Sequence, residues 1–136
     1  MRRFSRDVAR KDELENESMT ATIRDLMLAN LFDVFSERDR ERRTAAIART
    51  YTDTVVFSDP NGIATSRKAL NEKAQKLLDS ASDFVFTAAG PVYETHDLGY
   101  LAWHFGPKER PPVVSGMDIA IIREGRIAAL YTLLTT

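Results

Sequence analysis

The chain is organised around Tyr100-Leu101-Ala102-Trp103-His104-Phe105-Gly106, a proline-bearing loop at 107–112, Val113-Val114-Ser115-Gly116-Met117-Asp118-Ile119-Ala120-Ile121-Ile122, and Ile127-Ala128-Ala129-Leu130-Tyr131 beyond a turn at Glu124-Gly125. It reads as two consecutive strands and the start of a third. Side chains alternate between faces along a strand, so residues two apart share one. Tyr100, Ala102 and His104 therefore lie on one side, and Leu101, Trp103 and Phe105 on the other. On the returning strand Gly116, Asp118 and Ala120 share a face. A two-residue hairpin at Glu124-Gly125 pairs Arg123 with Arg126 and, counted back, sets Asp118 opposite Tyr131. The longer loop does not fix its register; a simple loop centred near Pro111 puts His104 beside Asp118. One sheet face then carries tyrosine, histidine and carboxylate among small residues, as the lining of a pocket.

Working back toward the N-terminus, Phe84-Val85-Phe86-Thr87-Ala88-Ala89, interrupted at Gly90-Pro91 and resumed at Val92-Tyr93, reads as a long strand with a bend or bulge. Thr95-His96-Asp97 is the turn into the next strand. Ser66 caps a helix whose Leu70, Ala74, Leu77 and Leu78 form an apolar stripe. Thr54-Val55-Val56-Phe57 is a short strand ending in the turn residues Ser58-Asp59-Pro60-Asn61-Gly62. A helix over 40–50 carries Arg40, Arg42, Arg43 and Arg49, which alternate with acids and read as a solvated face. Thr22 and Asp25 resemble a capping box before Ile23, Leu26, Met27, Leu31, Val34 and Phe35, one helical stripe. The order predicts an α+β fold: a cone-shaped curved antiparallel sheet with three helices on its concave face.

Residues 1–18 mix Arg, Lys, Asp and Glu with few apolar residues and read as a charged, poorly ordered tail; 19–136 read as a single pocket domain. Met19 is a second candidate translation start. At 136 residues the chain suffices for one core, and 43% hydrophobic with 29% charged residues is ordinary for a globular protein. A net charge of −1 supplies no broad attraction to nucleic acid or an anionic membrane. No apolar run approaches the roughly 20 residues of a membrane span, and the N-terminus lacks the apolar centre of a secretory signal, so a cytoplasmic location is expected. Zero cysteines exclude disulfides, thiolate metal sites and a cysteine nucleophile. Two histidines without close spacing offer no ready metal site, and no glycine-rich phosphate loop or nucleophile elbow appears. No metal or other cofactor is expected.

Tyr51-Thr52-Asp53-Thr54-Val55-Val56-Phe57-Ser58-Asp59-Pro60-Asn61-Gly62 and Gly116-Met117-Asp118-Ile119-Ala120-Ile121-Ile122-Arg123-Glu124-Gly125-Arg126-Ile127, with the element order, resemble the nuclear-transport-factor-2-like superfamily and its SnoaL-like group. The resemblance covers about residues 22–136. Ala64-Thr65-Ser66-Arg67 departs from the glycine that often opens the third helix in this group. The superfamily includes ketosteroid isomerases, polyketide cyclases, scytalone dehydratases, limonene-epoxide hydrolases and proteins without catalysis, so the fold alone names no function. The resemblance implies a cavity between helices and sheet, dimer contacts through the sheet's outer face, and a small apolar, oxygen-bearing ligand. Asp118 matches the aspartate that serves as acid or base in some members, and His104 falls where others carry a functional polar residue.

The expected catalytic pair is thus Asp118 and His104, moving protons, with Tyr100 or Tyr131 donating to a developing oxyanion. Against this stands a structural reading: His104 exposed at a strand end, and Asp118 accepting a hydrogen bond from Tyr131. Tyr51 is a ligand-binding candidate through its hydroxyl, or a core residue with a wet tip. Asp59 could reach the pocket mouth, although its turn explains it without function. Trp103, opposite His104, belongs to core packing or a dimer interface. The activities implied are isomerisation, cyclisation, dehydration or epoxide hydrolysis without a cofactor. The rivals are a non-catalytic ligand-binding module and an interaction domain that recruits partners through its sheet.

Overall fold

The computed structural model describes residues 21–136; the expected charged tail at 1–18 and Met19 lie outside them. Helix α1 (Ile23–Ala29) begins with the expected capping box, Thr22 Oγ1 accepting from the Asp25 amide and Asp25 accepting from the Thr22 amide. It runs directly into a π-helical segment (Asn30–Phe35), whose wider turn carries one more residue than an α-turn. Helix α2 (Arg40–Thr50) is capped by Asp39 and helix α3 (Arg67–Ser80) by Ser66. Such caps satisfy amides that the first helical turn leaves without partners.

The strands are β1 (Tyr51–Asp59), β2 (Gly62–Ala64), β3 (Phe84–Ala88), β4 (Tyr93–Thr95), β5 (Leu98–Pro107), β6 (Val114–Arg123) and β7 (Arg126–Leu134). They form one curved sheet in the order β2-β1-β7-β6-β5-β3, with β4 paired to the other end of β5. Pairing is antiparallel except between β1 and β7, so the expected antiparallel sheet is a mixed one. The bend at Gly90-Pro91 divides the long strand into β3 and β4, which share β5 as their partner. The expected α+β architecture, helices on one face of a curved sheet, is what forms.

The core lies between the helices and the inner sheet face. Leu26, Met27, Leu31 and Val34 meet Leu101, Trp103, Phe105, Ala120 and Leu130 there. Phe86 stacks on Phe105 and meets Trp103 edge-on, with ring centroids 4.1 Å and 5.3 Å apart. At Gly99 a β-carbon would come within 2.8 Å of Ile23 and Met27, so glycine lets α1 lie close on β5.

Arg43 corrects the expectation of a solvated arginine face, because it is fully buried. Its Nε donates to Asn71 Oδ1 (2.6 Å), Nη1 to the Glu37 carbonyl (2.7 Å), and Nη2 to Gln75 Oε1. Three neutral acceptors thus hold the guanidinium where α2 meets α3. Arg38 closes the end of α3 in a related way, donating to the carbonyls of Leu78, Ala81 and Phe84.

Candidate functional site

Two register details decide which side chains meet. Residues 107–113 turn tightly, with Glu109 in the left-handed region, so His104 pairs with Ser115 and Leu101 with Asp118. The pairing is displaced by three residues from a loop centred at Pro111, and an odd displacement exchanges faces. The expected adjacency of His104 and Asp118 therefore does not form. A β-bulge between β6 and β7 then gives β7 one extra residue: Ile122 pairs with Ile127, but Ile121 with Ala129. This sets Asp118 against Thr132 rather than Tyr131.

Asp118 accordingly faces inward, 4% exposed, among groups from four elements. Trp103 Nε1 donates to its Oδ1 from β5 at 3.0 Å, and Thr132 Oγ1 donates to the same oxygen from β7 at 2.7 Å. Asn30 Nδ2 donates to Oδ2 from the π-helical segment at 2.8 Å. The chain continues on the helix side, where Tyr51 OH donates to Asn30 Oδ1 at 2.5 Å. Asn30 and Tyr51 are both fully buried.

The electrostatics follow from this burial. Loss of water pushes the Asp118 carboxyl up from 3.8 to about 6, while the hydrogen bonds from Thr132, Trp103 and Asn30 pull it back down. Desolvation dominates. Burial also raises the Tyr51 phenol well above its ordinary value, and the nearby Asp118 charge raises it further. At neutral pH the arrangement is a buried carboxylate linked to a protonated phenol through one carboxamide. It can take a proton at Asp118 and donate a hydrogen bond from Tyr51.

The other candidate residues lie elsewhere. His104 is on the outer face, its Nδ1 2.8 Å from Ser115 Oγ. Tyr100 is half-buried on the same face, beside Tyr93, and Tyr131 is exposed there. Asp59 pairs with Lys73 at 2.7 Å and accepts from the Asn61 amide within its turn. Of the six, the structure brings Asp118 and Tyr51 together. Asn30 and Thr132 were not singled out from the sequence. The available signal for Asn30 was a polar residue inside the stripe of Leu26, Met27, Leu31 and Val34. Thr132 needed the bulge.

Among the described residues no group of three or more His, Cys, Asp or Glu side chains is placed to hold a metal ion, and no helix is long and apolar enough to cross a membrane. An open cleft of about 450 Å3 lies between α1 and α2, lined by Leu26, Ala29, Phe32 and Thr50 among others.

The fold is that of several solved structures. A proposed isomerase of the SnoaL-like family from Agrobacterium tumefaciens superposes with a TM-score of 0.76 at 18% identity, over 82% of this chain and 95% of that one. A proposed polyketide cyclase from Sinorhizobium meliloti gives 0.62 at 19% identity, over 81% and 92%. A proposed ketosteroid isomerase from Kribbella flavida gives 0.62 at 15%, over 87% and 82%. No curated protein matches the chain. Residues 28–130 match the SnoaL-like domain, and the chain belongs to that family.

Proposed function

We propose that this protein is a small-molecule pocket protein that uses Asp118 as a cofactor-independent acid/base on an apolar, oxygen-bearing substrate. The observation that carries the reading is a buried carboxyl raised to about 6, one carboxamide away from the Tyr51 hydroxyl. A base poised just below neutral pH is largely ionised yet accepts a proton readily. Asp118 would remove a proton from a carbon next to a carbonyl, while Tyr51 donates a hydrogen bond to the oxygen on which charge develops. Returning that proton to another carbon isomerises the substrate. His104, on the far side of the sheet, takes no part in this reading.

The outer sheet face favours a homodimer as the working form. Val56, Tyr93, Tyr131 and Leu133 are exposed there, alongside partly buried Tyr100, Met117, Ile119 and Ile121. Five strands about 4.8 Å apart and eight residues long span roughly 600 Å2, close to the ~800 Å2 per partner of a standard interface.

A second reading, a non-catalytic binding or interaction domain, draws on the same carboxylate. Both of its oxygens are engaged by protein donors, one of them the Trp103 indole, which packs edge-on against Phe86. Deuterium exchange at the α-carbons of steroid-, terpenoid- and polyketide-like ketones in heavy water separates the two. The enzyme reading expects exchange above the buffer rate for some ketone, reduced at least about 100-fold in Asp118→Asn. Equal rates in both proteins across the panel would leave the non-catalytic reading.

A further inference from the structure

We propose that the Asn30 carboxamide is an internal stand-in for the ligand: it occupies the slot between Asp118 and Tyr51 that a small carbonyl compound with an adjacent N–H or O–H donor would take. The inference rests on reading Asp118 as the acid/base and specifies what its site recognises.

The bonding polarity is the first ground. Asn30 presents its N–H to a carboxylate oxygen and its carbonyl oxygen to a phenol donor. A ligand in that slot needs the same two functions side by side. A primary amide has them, as does the enol form of a 1,3-dicarbonyl, with its hydroxyl toward Asp118 and its carbonyl toward Tyr51. The Tyr51 hydroxyl would then face the oxygen on which an enolate charge develops.

The distribution of hydrogen bonds at Asp118 is the second. Oδ1 is held from the sheet by both Trp103 and Thr132, so its partners are parts of the rigid layer. Oδ2 receives Asn30 from the helical layer. Replacing Asn30 with a ligand leaves the Trp103 and Thr132 bonds in place and exchanges one donor for another.

The placement of Asn30 is the third. It sits in the apolar stripe of the first helix, at the first position of a six-residue π-helical segment. Burying an amide there carries a desolvation penalty that an aliphatic side chain would not, and single π-turns recur at functional sites. The open cleft between α1 and α2 is lined by Ala29 and Thr50, the residues immediately before Asn30 and Tyr51.

Acetamide is the asparagine side chain cut free, so Asn30→Ala supplies the test. Trp103 is the single tryptophan, and its indole N–H points at Asp118, so its 1H–15N signal reports on the site. The expected result is saturable acetamide binding to Asn30→Ala, at least about tenfold tighter than to the unaltered protein, with the indole signal returning toward its original position. N,N-dimethylacetamide, which lacks the N–H, should not bind, and acetylacetone should compete with acetamide. If Asn30→Ala is unfolded, Asn30→Ser is the second variant, and recovery of far-UV circular dichroism by acetamide but not its dimethyl analogue becomes the readout. Identical behaviour of the two amides, or no response to either, overturns the inference. That failure would leave the acid/base reading standing if Asp118 still titrates near 6 and Asp118→Asn still loses exchange. The converse pattern would sink the reading and keep the slot.

Discussion

Trp103 and Gly116 are direct cross-strand partners, and the glycine is what allows the indole to reach Asp118. A β-carbon at residue 116 would lie 2.5 Å from the Leu133 carbonyl oxygen and 2.6 Å from the six-membered ring of Trp103. The backbone oxygen belongs to the neighbouring strand and cannot swing away. The indole therefore lies against a bare backbone, with Nε1 directed at the carboxylate two residues along β6.

Gly116→Ala should displace that ring. Overpacking of this kind costs about 1–3 kcal/mol, and the displaced indole would weaken its bond to Asp118. Chemical denaturation should show the loss, and the emission of the single tryptophan should shift with it. An unchanged denaturation midpoint and spectrum would mean that the indole tolerates the added methyl.

Asp118 should leave a signature in the dependence of stability on pH. Its folded value, about 6, lies above the ordinary carboxyl value of 3.8, so between these limits the folded chain binds more protons than the unfolded one. Stability must then fall as pH rises through that window and level off above it. A displacement of that size corresponds to about 3 kcal/mol. The difference between unaltered protein and Asp118→Asn, measured by urea unfolding from pH 4 to 7, isolates this contribution. A difference independent of pH would show that the carboxyl is not raised.

Two adjacent arginines on α2 should behave oppositely. Arg43 is buried and donates to three neutral acceptors, so Arg43→Ala leaves a cavity and strips Asn71 and Gln75 of their partner. A loss of about 3 kcal/mol is expected. Arg42 is exposed and pairs with Glu37 at the surface, so Arg42→Ala should leave the thermal midpoint nearly unchanged. Thermal denaturation of the two variants side by side checks the contrast.

If the outer sheet face holds a second copy, a charge at its centre should separate the two. Tyr131→Glu and Leu133→Glu place carboxylates on that face, where Tyr131 pairs with Ile119 and Leu133 with Met117. Light scattering should report a dimer for the unaltered chain and a monomer for the variants, with helix and strand content retained. A monomer in every case would remove the dimer from the account.

The helices were legible because their ends are written in single residues. Thr22 with Asp25 closes a capping box, and Ser66 accepts from the Ala69 amide. The strands were legible from alternation, which set Trp103 and His104 on opposite faces; the pocket was expected on the face of His104, and it is Trp103 that faces inward with Asp118. Register was not, because it depends on things that alternation does not encode. The turn before β6 displaced His104 by three residues, and the extra residue in β7 exchanged Tyr131 for Thr132 as the partner of Asp118. Arg43 looked like its charged neighbours because nothing local marks the amides of Asn71 and Gln75, which arrive from another helix. Asn30 stood in plain view within an apolar stripe; its meaning appeared when Tyr51 and Asp118 were seen on either side of it.

The most direct test of the central claim is the titration of the Asp118 side-chain carboxyl carbon by NMR, with and without a bound ketone or enol. A midpoint near 6 is expected, moving when the ligand takes the place of the Asn30 amide. A midpoint near 3.8, indifferent to every ligand, would contradict it and leave Asp118 as a structural acceptor beneath the helices.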